Sequence, residues 1–274
     1  MNRALWKKAF ADAWLHLLIS CLLLAVFSLL FVWLMSQFRA GAFLKFLAWV
    51  PSIFRSLVQV PPELLALPVG RISVLYVHFI TILVGLGWAV GRGSDPICGE
   101  IGRGTMDLLA ALPVRRPAIM FPAVAVAWLG ILLLVAAQLS GIWLGTRLCE
   151  FEEPVSIRRL LPGAANYCCL LLFVHALTLL VSAWNRDRWR AIAAASGLYV
   201  VAYIIEVVRR LWPHGGWLKW STFLSLYRPQ ELILIHATRD ALLWQLNGLL
   251  MLLALACYAA AAATFARRDI PASR

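Results

Sequence analysis

The sequence predicts an all-α, polytopic membrane protein with six transmembrane helices. Of its 274 residues, 62% are hydrophobic and only 14% are charged, and the mean hydropathy is +0.82. Because the surface of a soluble domain is roughly a quarter charged, this composition indicates a protein embedded in lipid. A bilayer core of about 30 Å takes about 20 apolar residues per helix. Six segments reach that length, at about 13–35, 72–90, 118–146, 164–183, 191–208 and 241–265.

The same segments exclude other classes of protein. They lack the two-residue alternation of an outer-membrane β-barrel, and they are about twice as long as its strands. The net charge of +12 comes from 25 Lys and Arg that are spread over every loop, with no soluble domain to present them to nucleic acid. We therefore expect the lipid bilayer, and no nucleic acid, as the partner of these charges. Lys and Arg cluster most densely beside span ends on the side of the membrane that carries the N-terminus. The positive-inside rule therefore predicts that both termini are cytoplasmic.

The first element, residues 1–12, has the pattern of a helix that lies in the headgroup plane. Leu5, Trp6 and Phe10 share one helical face, whereas Lys7 and Lys8 point away from it. We expect an interfacial elbow that leads into the first span. The loop 36–71 that follows this span is long, apolar and interrupted by prolines, and we expect it to lie along the outer membrane surface.

Two pairs of glycines at small-xxx-small spacing lie in the third span and at the end of the second. These pairs are Gly87 with Gly91 and Gly141 with Gly145. Such pairs allow helices to approach closely. The sequence leaves open whether the partner helix belongs to the same chain or to a second one.

A polar segment, residues 92–117, joins these two spans. Thr105 can cap a helix that begins at Met106, and Pro113 ends it. The helix is about seven residues long and too short to be stable alone, so it needs a partner surface. The leucines that it presents on one side are Leu108, Leu109 and Leu112.

The last two spans are separated by about thirty residues, 209–240, that contain two short apolar pieces. Neither piece can cross a bilayer. We expect a re-entrant or surface hairpin on the outer side.

The 92–117 segment resembles the cytoplasmic segment of type-2 ATP-binding-cassette (ABC) transporter permeases. In that family a glutamate, a Gly-Thr pair, a leucine-rich turn and a Pro-x-(Ser/Arg)-Arg stretch link spans 2 and 3. The matching residues are Glu100, Gly104, Thr105, Leu108, Leu109, Pro113, Arg115 and Arg116. Six spans, a basic amphipathic start and a hairpin before the last span are also the family layout, so the resemblance covers residues 1–274 as a single domain. The chain departs from the family at Phe121, where many members carry a lysine nearby.

The resemblance implies the permease subunit of an exporter in the bacterial inner membrane. Two such chains, identical or paralogous, would form the pathway, and each would dock on a separate ATPase subunit that binds ATP and Mg. The 92–117 segment would be the coupling segment, with the three leucines as its docking face and with Glu100 and Arg115 in polar contacts. This chain has no GxxxxGK(S/T) loop and no GxGxxG after a strand, so we expect no enzymatic activity and no cofactor in it.

Three ionisable residues inside the spans are further candidates for the pathway or for a structural role. They are Glu206, His78 and His175. Arg209 and Arg210 follow Glu206 at helix-surface spacing and can pair with it. Neither histidine has further ligands at helical spacing, so we expect no metal site.

Two other functions remain as alternatives. Glu152 and Glu153 with Arg158, and His236 with Asp240, are similar to the EExxxR and HxxxD/N signatures of CAAX-processing intramembrane metalloproteases. The spacing of Arg158 is one residue too long, and the acidic pair lies in a loop. A secondary transporter would be expected to show related halves, and no repeat is evident.

Overall fold

The computed structural model of the protein describes residues 3–51, 60–111, 116–235 and 239–267, and most of these residues are helical. The helices are α1 (Arg3–Ser36), α2 (Ala40–Trp49), α3 (Pro62–Ala66), α4 (Pro68–Ser73), α5 (Phe79–Ser94), α6 (Met106–Ala110), α7 (Arg116–Leu148), α8 (Leu161–Trp184), α9 (Arg188–Leu211), α10 (Pro229–Leu234) and α11 (Arg239–Arg267). Shorter helical turns are Val74–Val77, Asp95–Gly99, Glu100–Gly102, Ile157–Arg159, Gly215–Trp220 and Phe223–Leu226. The described residues contain no strand. The prediction of an all-α protein is confirmed.

Five of these helices, α1, α7, α8, α9 and α11, are long and apolar enough to cross a membrane. A sixth crossing is possible where Pro68–Val77 and Phe79–Gly102 form a pair bent by 40°. The chain is therefore a multi-pass membrane protein. The bend lies at His78, whose backbone is extended and whose Nδ1 accepts a hydrogen bond from the Ile80 N–H, so that the imidazole caps α5. The predicted second span, 72–90, is thus interrupted near its start.

Helix α8 lies at the centre of the bundle. In its most apolar stretch 72% of the residues are buried, against 22% in α1, α9 and α11. It packs against α5, α7, α9, α10 and α11. Tyr258 of α11 joins three helices, because its hydroxyl accepts a hydrogen bond from the Trp128 indole at 2.7 Å and lies 2.6 Å from His175 Nδ1.

Helices α1 and α7 form the other extensive pair. A Cβ added at Gly141 would lie 2.2 Å from the carbonyl oxygen of Ala25, and one added at Gly145 would lie 2.8 Å from Val32. The Gly141–Gly145 pair therefore serves packing within the chain. Gly87 and Gly91 differ, since an added Cβ would meet nothing within 4 Å at either position.

The bundle has two ends, which we call near and far. At the near end, Lys8 of α1, Glu100 and Arg188 of α9 contribute to one ionic network. At the far end, Arg71 is 1% exposed and binds the Glu152 carboxylate at 2.6 Å. The bent helix pair runs from Arg71 at the far end to Asp95 at the near end. It therefore extends between the two ends of the bundle, as the long helices do.

The elbow predicted at residues 1–12 is not a separate helix, because α1 continues without a break from Arg3 to Ser36. Lys8, expected to point towards headgroups, turns inwards to Glu100. Phe10 and Trp14 are exposed.

The segment between α9 and α11 forms a compact hairpin that does not cross the bundle. Its first piece is bound where the Thr222 hydroxyl donates to the Ala202 carbonyl, and its second, Pro229–Leu234, packs against α8 and α4. The connection between them is held where the Tyr227 hydroxyl donates to the Tyr76 carbonyl and where Asn166 of α8 binds Leu226 and Arg228. The prediction that neither piece spans is consistent with these contacts.

Candidate functional site

The 92–117 segment leaves α5 through a wide helical turn at Asp95–Gly99 and a short turn at Glu100–Gly102. The chain then reverses at Gly104, whose φ is +70°, a conformation that a residue without a Cβ adopts readily. The Gly104 N–H donates to the Ile101 carbonyl and the Thr105 N–H to the Glu100 carbonyl. This pair of bonds is the Schellman ending of a helix, and it directs α6 away from α5.

Thr105 is at the start of α6, as predicted, but it does not cap the helix with its side chain. Its hydroxyl instead donates to Glu100 Oε2 at 2.6 Å. Thr105 therefore fixes a carboxylate that lies one turn earlier in the chain.

Glu100 is the anchor of the segment. Its side chain is only 7% exposed, and its Oε1 binds Lys8 Nζ of α1 and Arg103 Nη2, the latter at 2.6 Å. Glu100 lies near the end of the bent pair, and hydrogen bonds from Lys8, Arg103 and Thr105 hold its buried carboxylate.

Asp95 is the second carboxylate of the site, and three guanidinium groups surround it. Arg92 lies 2.9 Å from Oδ2, while Arg103 and Arg188 lie 3.0 and 3.3 Å from Oδ1. Arg103 therefore bridges Asp95 and Glu100. Arg92 also donates to the backbone carbonyl of Asp12 in α1 at 3.1 Å.

These ionic contacts form one group, which we call the charge cluster. Its members are Lys8, Arg92, Asp95, Glu100, Arg103 and Arg188. Four cations and two anions give it a net charge of +2. Because its members come from α1, α5, α9 and the 92–117 segment, the cluster ties that segment to three long or bent helices. The family resemblance points to Glu100 but not to Asp95 or Arg188, since only the fold brings these two together.

The predicted docking leucines do not share one environment. Leu108 is 72% exposed, whereas Leu109 lines a small cleft of about 50 Å³ beside Lys8, Glu100 and Ile119. Met106, which the pattern did not single out, is buried in a cluster with Ile97 and Phe265. Leu112, Pro113 and Arg115 lie outside the described residues, and Arg116 begins α7 with its side chain undescribed.

Two of the three ionisable candidates from the spans line one cavity. His78 and Glu206 both face a space of about 610 Å³ between α1, α2, α5, α9 and the hairpin. Glu206 binds Arg209 at 2.6 Å and Arg210 at 2.7 Å, as the spacing predicts. His175 lies elsewhere, fully buried against Tyr258.

No family model and no curated protein matches the sequence.

Nowhere in the described ranges do three or more His, Cys, Asp or Glu side chains come together at a spacing suited to a metal ion. Glu152 of the protease-like pair is engaged by Arg71 and by the Ala40 N–H at 2.7 Å, and His236 lies outside the described residues. The charge cluster is therefore the main candidate site, and the cavity beside Glu206 is the second.

Proposed function

We propose that the protein is the permease subunit of an ABC exporter and that a separate ATPase subunit docks on the 92–117 segment. The observation that carries this proposal is the charge cluster, which joins the exposed Leu108 turn to three helices of the bundle. A force applied to the turn would reach α1 through Lys8 and Glu100, and α9 through Asp95 and Arg188. A docking segment needs such a rigid connection, because a flexible loop would absorb the movement.

The proposal includes six spans with both termini in the cytoplasm of a bacterial cell. The bent pair Pro68–Val77 and Phe79–Gly102 counts as the second span, since Arg71 at its start lies at the far end and Asp95 lies at the near end. The near end, with the cluster charge of +2, would face the cytoplasm. Residues 209–240 would then form the outer hairpin, and the first turns of α1 would lie at the inner headgroups.

The reaction that drives transport would take place in the partner. The ATPase subunit would bind ATP and Mg and hydrolyse ATP, while this chain and a second permease copy or paralogue would form the pathway. On this proposal the chain itself is not an enzyme. The proposal is favoured over the intramembrane protease because Glu152, held by Arg71, is not positioned to activate a water molecule.

Replacing Leu108 and Leu109 together by Asp should abolish copurification of the ATPase. Two carboxylates on the docking turn would meet an apolar partner surface and could not be desolvated there without a large cost. The measurement is the amount of ATPase retained when the tagged permease is purified from membranes that contain both subunits. We expect a loss of roughly tenfold or more, equivalent to about 1.4 kcal/mol of binding free energy.

The matched control is Leu148→Asp, because Leu148 is 69% exposed and so resembles Leu108. Leu148 ends α7, about 50 Å from its start at a rise of about 1.5 Å per residue. The Leu148→Asp variant should therefore retain as much ATPase as the wild type does. Full retention of the ATPase by the Leu108/Leu109 variant would refute the docking role.

A further inference from the structure

The cavity beside Glu206 has walls of two kinds. Most of its lining is apolar, contributed by residues such as Phe31, Phe43, Phe46 and Leu65. Towards α9 and the hairpin the lining becomes polar, with Tyr203, Glu206, Arg210 and Gln230. At about 610 Å³ the cavity has the size of a typical small-molecule site. An apolar body and a polar edge fit an amphiphile better than a wholly polar solute.

A net positive charge lies at the polar edge. Glu206 is buried and binds two guanidinium groups, those of Arg209 and Arg210. Of these three side chains, Glu206 and Arg210 line the cavity. Two cations and one anion leave a charge of +1 on this group, which favours an anionic headgroup.

The cavity also continues along the bundle. Val77, Ile82, Tyr199 and Tyr203 line both this cavity and a second groove of about 610 Å³ between α5 and α9. The groove contains Gly87 and Gly91, where an added side chain would meet nothing within 4 Å. The groove is therefore open beside Gly87 and Gly91, where neither residue has a side chain to fill it. An elongated apolar chain fits this shape.

We propose that the cavity and groove bind an amphiphile with an anionic headgroup and one long apolar chain. The headgroup lies at the edge formed by Glu206 and Arg210, and the chain extends along the groove past Gly87. Phe79, Leu83 and Val200 line the groove and are exposed, so in a membrane the chain can enter sideways from the lipid. That this amphiphile is the transported cargo rests on the proposed permease function. That the cavity and groove bind it does not depend on an ATPase subunit.

The test is equilibrium binding of radiolabelled hexadecyl phosphate to the purified full-length protein in detergent. We expect saturable binding. Hexadecyl phosphocholine and inorganic phosphate should each compete at least tenfold less well than unlabelled hexadecyl phosphate, since the first lacks the net negative charge and the second lacks the apolar chain. Equal competition by inorganic phosphate would overturn the role of the chain. Equal competition by the phosphocholine would overturn the role of the charge.

Two substitutions address the two halves of the site. Arg210→Gln removes the net charge at the edge, and Gly87→Leu fills the groove; each should weaken binding roughly tenfold. Their controls are Arg158→Gln, an exposed arginine outside the cavity, and Gly197→Leu, at a glycine of α9 that also has open space around it and lies outside both linings. If both test variants bind as the wild type does, the inference is wrong. Binding as proposed by a chain that never copurifies an ATPase would overturn the permease function and leave this inference standing.

Discussion

Gly141→Ala is expected to destabilise the protein, although it adds only one methyl group. The added Cβ would lie 2.2 Å from the carbonyl oxygen of Ala25. Because that atom belongs to the backbone of α1, it cannot move aside as the tip of a side chain would. Relief requires α1 and α7 to separate, and overpacking of this kind costs about 2 kcal/mol or more. The measurement is the midpoint of thermal unfolding in detergent, followed by the fluorescence of the 13 tryptophans.

Gly248→Ala is the control for this substitution. Gly248 lies within α11, and an added Cβ there would meet nothing within 4 Å. Alanine favours helix more than glycine does, by about 1 kcal/mol, so this variant should be neutral or slightly more stable. The same chemical change thus has opposite expected signs at the two sites. An unchanged midpoint for Gly141→Ala would show that α1 and α7 are not in close contact.

Glu100→Ala is expected to have the second large effect. It removes the buried carboxylate that binds Lys8, Arg103 and Thr105. Lys8 and Arg103 are partly exposed and can recover some hydration, so we expect a loss of about 2 kcal/mol, less than for a fully buried pair. The loss should appear in the unfolding midpoint. It should also uncouple ATP hydrolysis from transport if the proposed function is correct, because α1 would no longer be joined to the docking turn.

Two further variants separate these effects. Glu153→Gln, at an exposed carboxylate of the far end, should change stability by no more than about 0.5 kcal/mol. Lys8→Met, made alone and combined with Glu100→Ala, completes a double-mutant cycle. A coupling energy near zero would mean that the Lys8–Glu100 contact contributes nothing, and the connection to α1 would then have to be abandoned.

Much of the fold follows from the sequence because the bilayer imposes length and apolarity on each span. The predicted third span, 118–146, lies within α7, and the fourth, 164–183, lies within α8. The break at His78 could not be predicted, since length and apolarity do not distinguish a straight span from a bent one. In the fold the imidazole caps α5 and lies 4.9 Å from the Phe27 ring and 5.4 Å from the Phe31 ring. The continuity of α1 was missed for a related reason. Amphipathicity shows where a helix prefers to lie, not whether it bends at residue 12.

The candidate site was predicted in part. The local sequence of 92–117 identified Glu100 through the family resemblance, and Gly104 and Thr105 through the pattern of a helix start; the three are close in the chain and act together. It could not identify Asp95 with Arg188, which are separated by more than ninety positions and meet only when α9 packs beside α5. It also assigned Thr105 the wrong hydrogen bond, because a hydroxyl at a helix start has a choice of acceptors that only the folded chain determines.

The central position of α8 has a consequence for how the protein is made. During synthesis α1, α5 and α7 enter the membrane first, and α1 and α7 can pair at once. Helix α5 must wait for its main partner, because Gly85 and Gly93 are shaped to receive Tyr167 and Thr178 of α8. Helix α11 also packs against α8 and follows it in the chain. Assembly in the membrane therefore proceeds in two stages: α1 pairs with α7 first, and α5 and α11 dock only once α8 has been inserted.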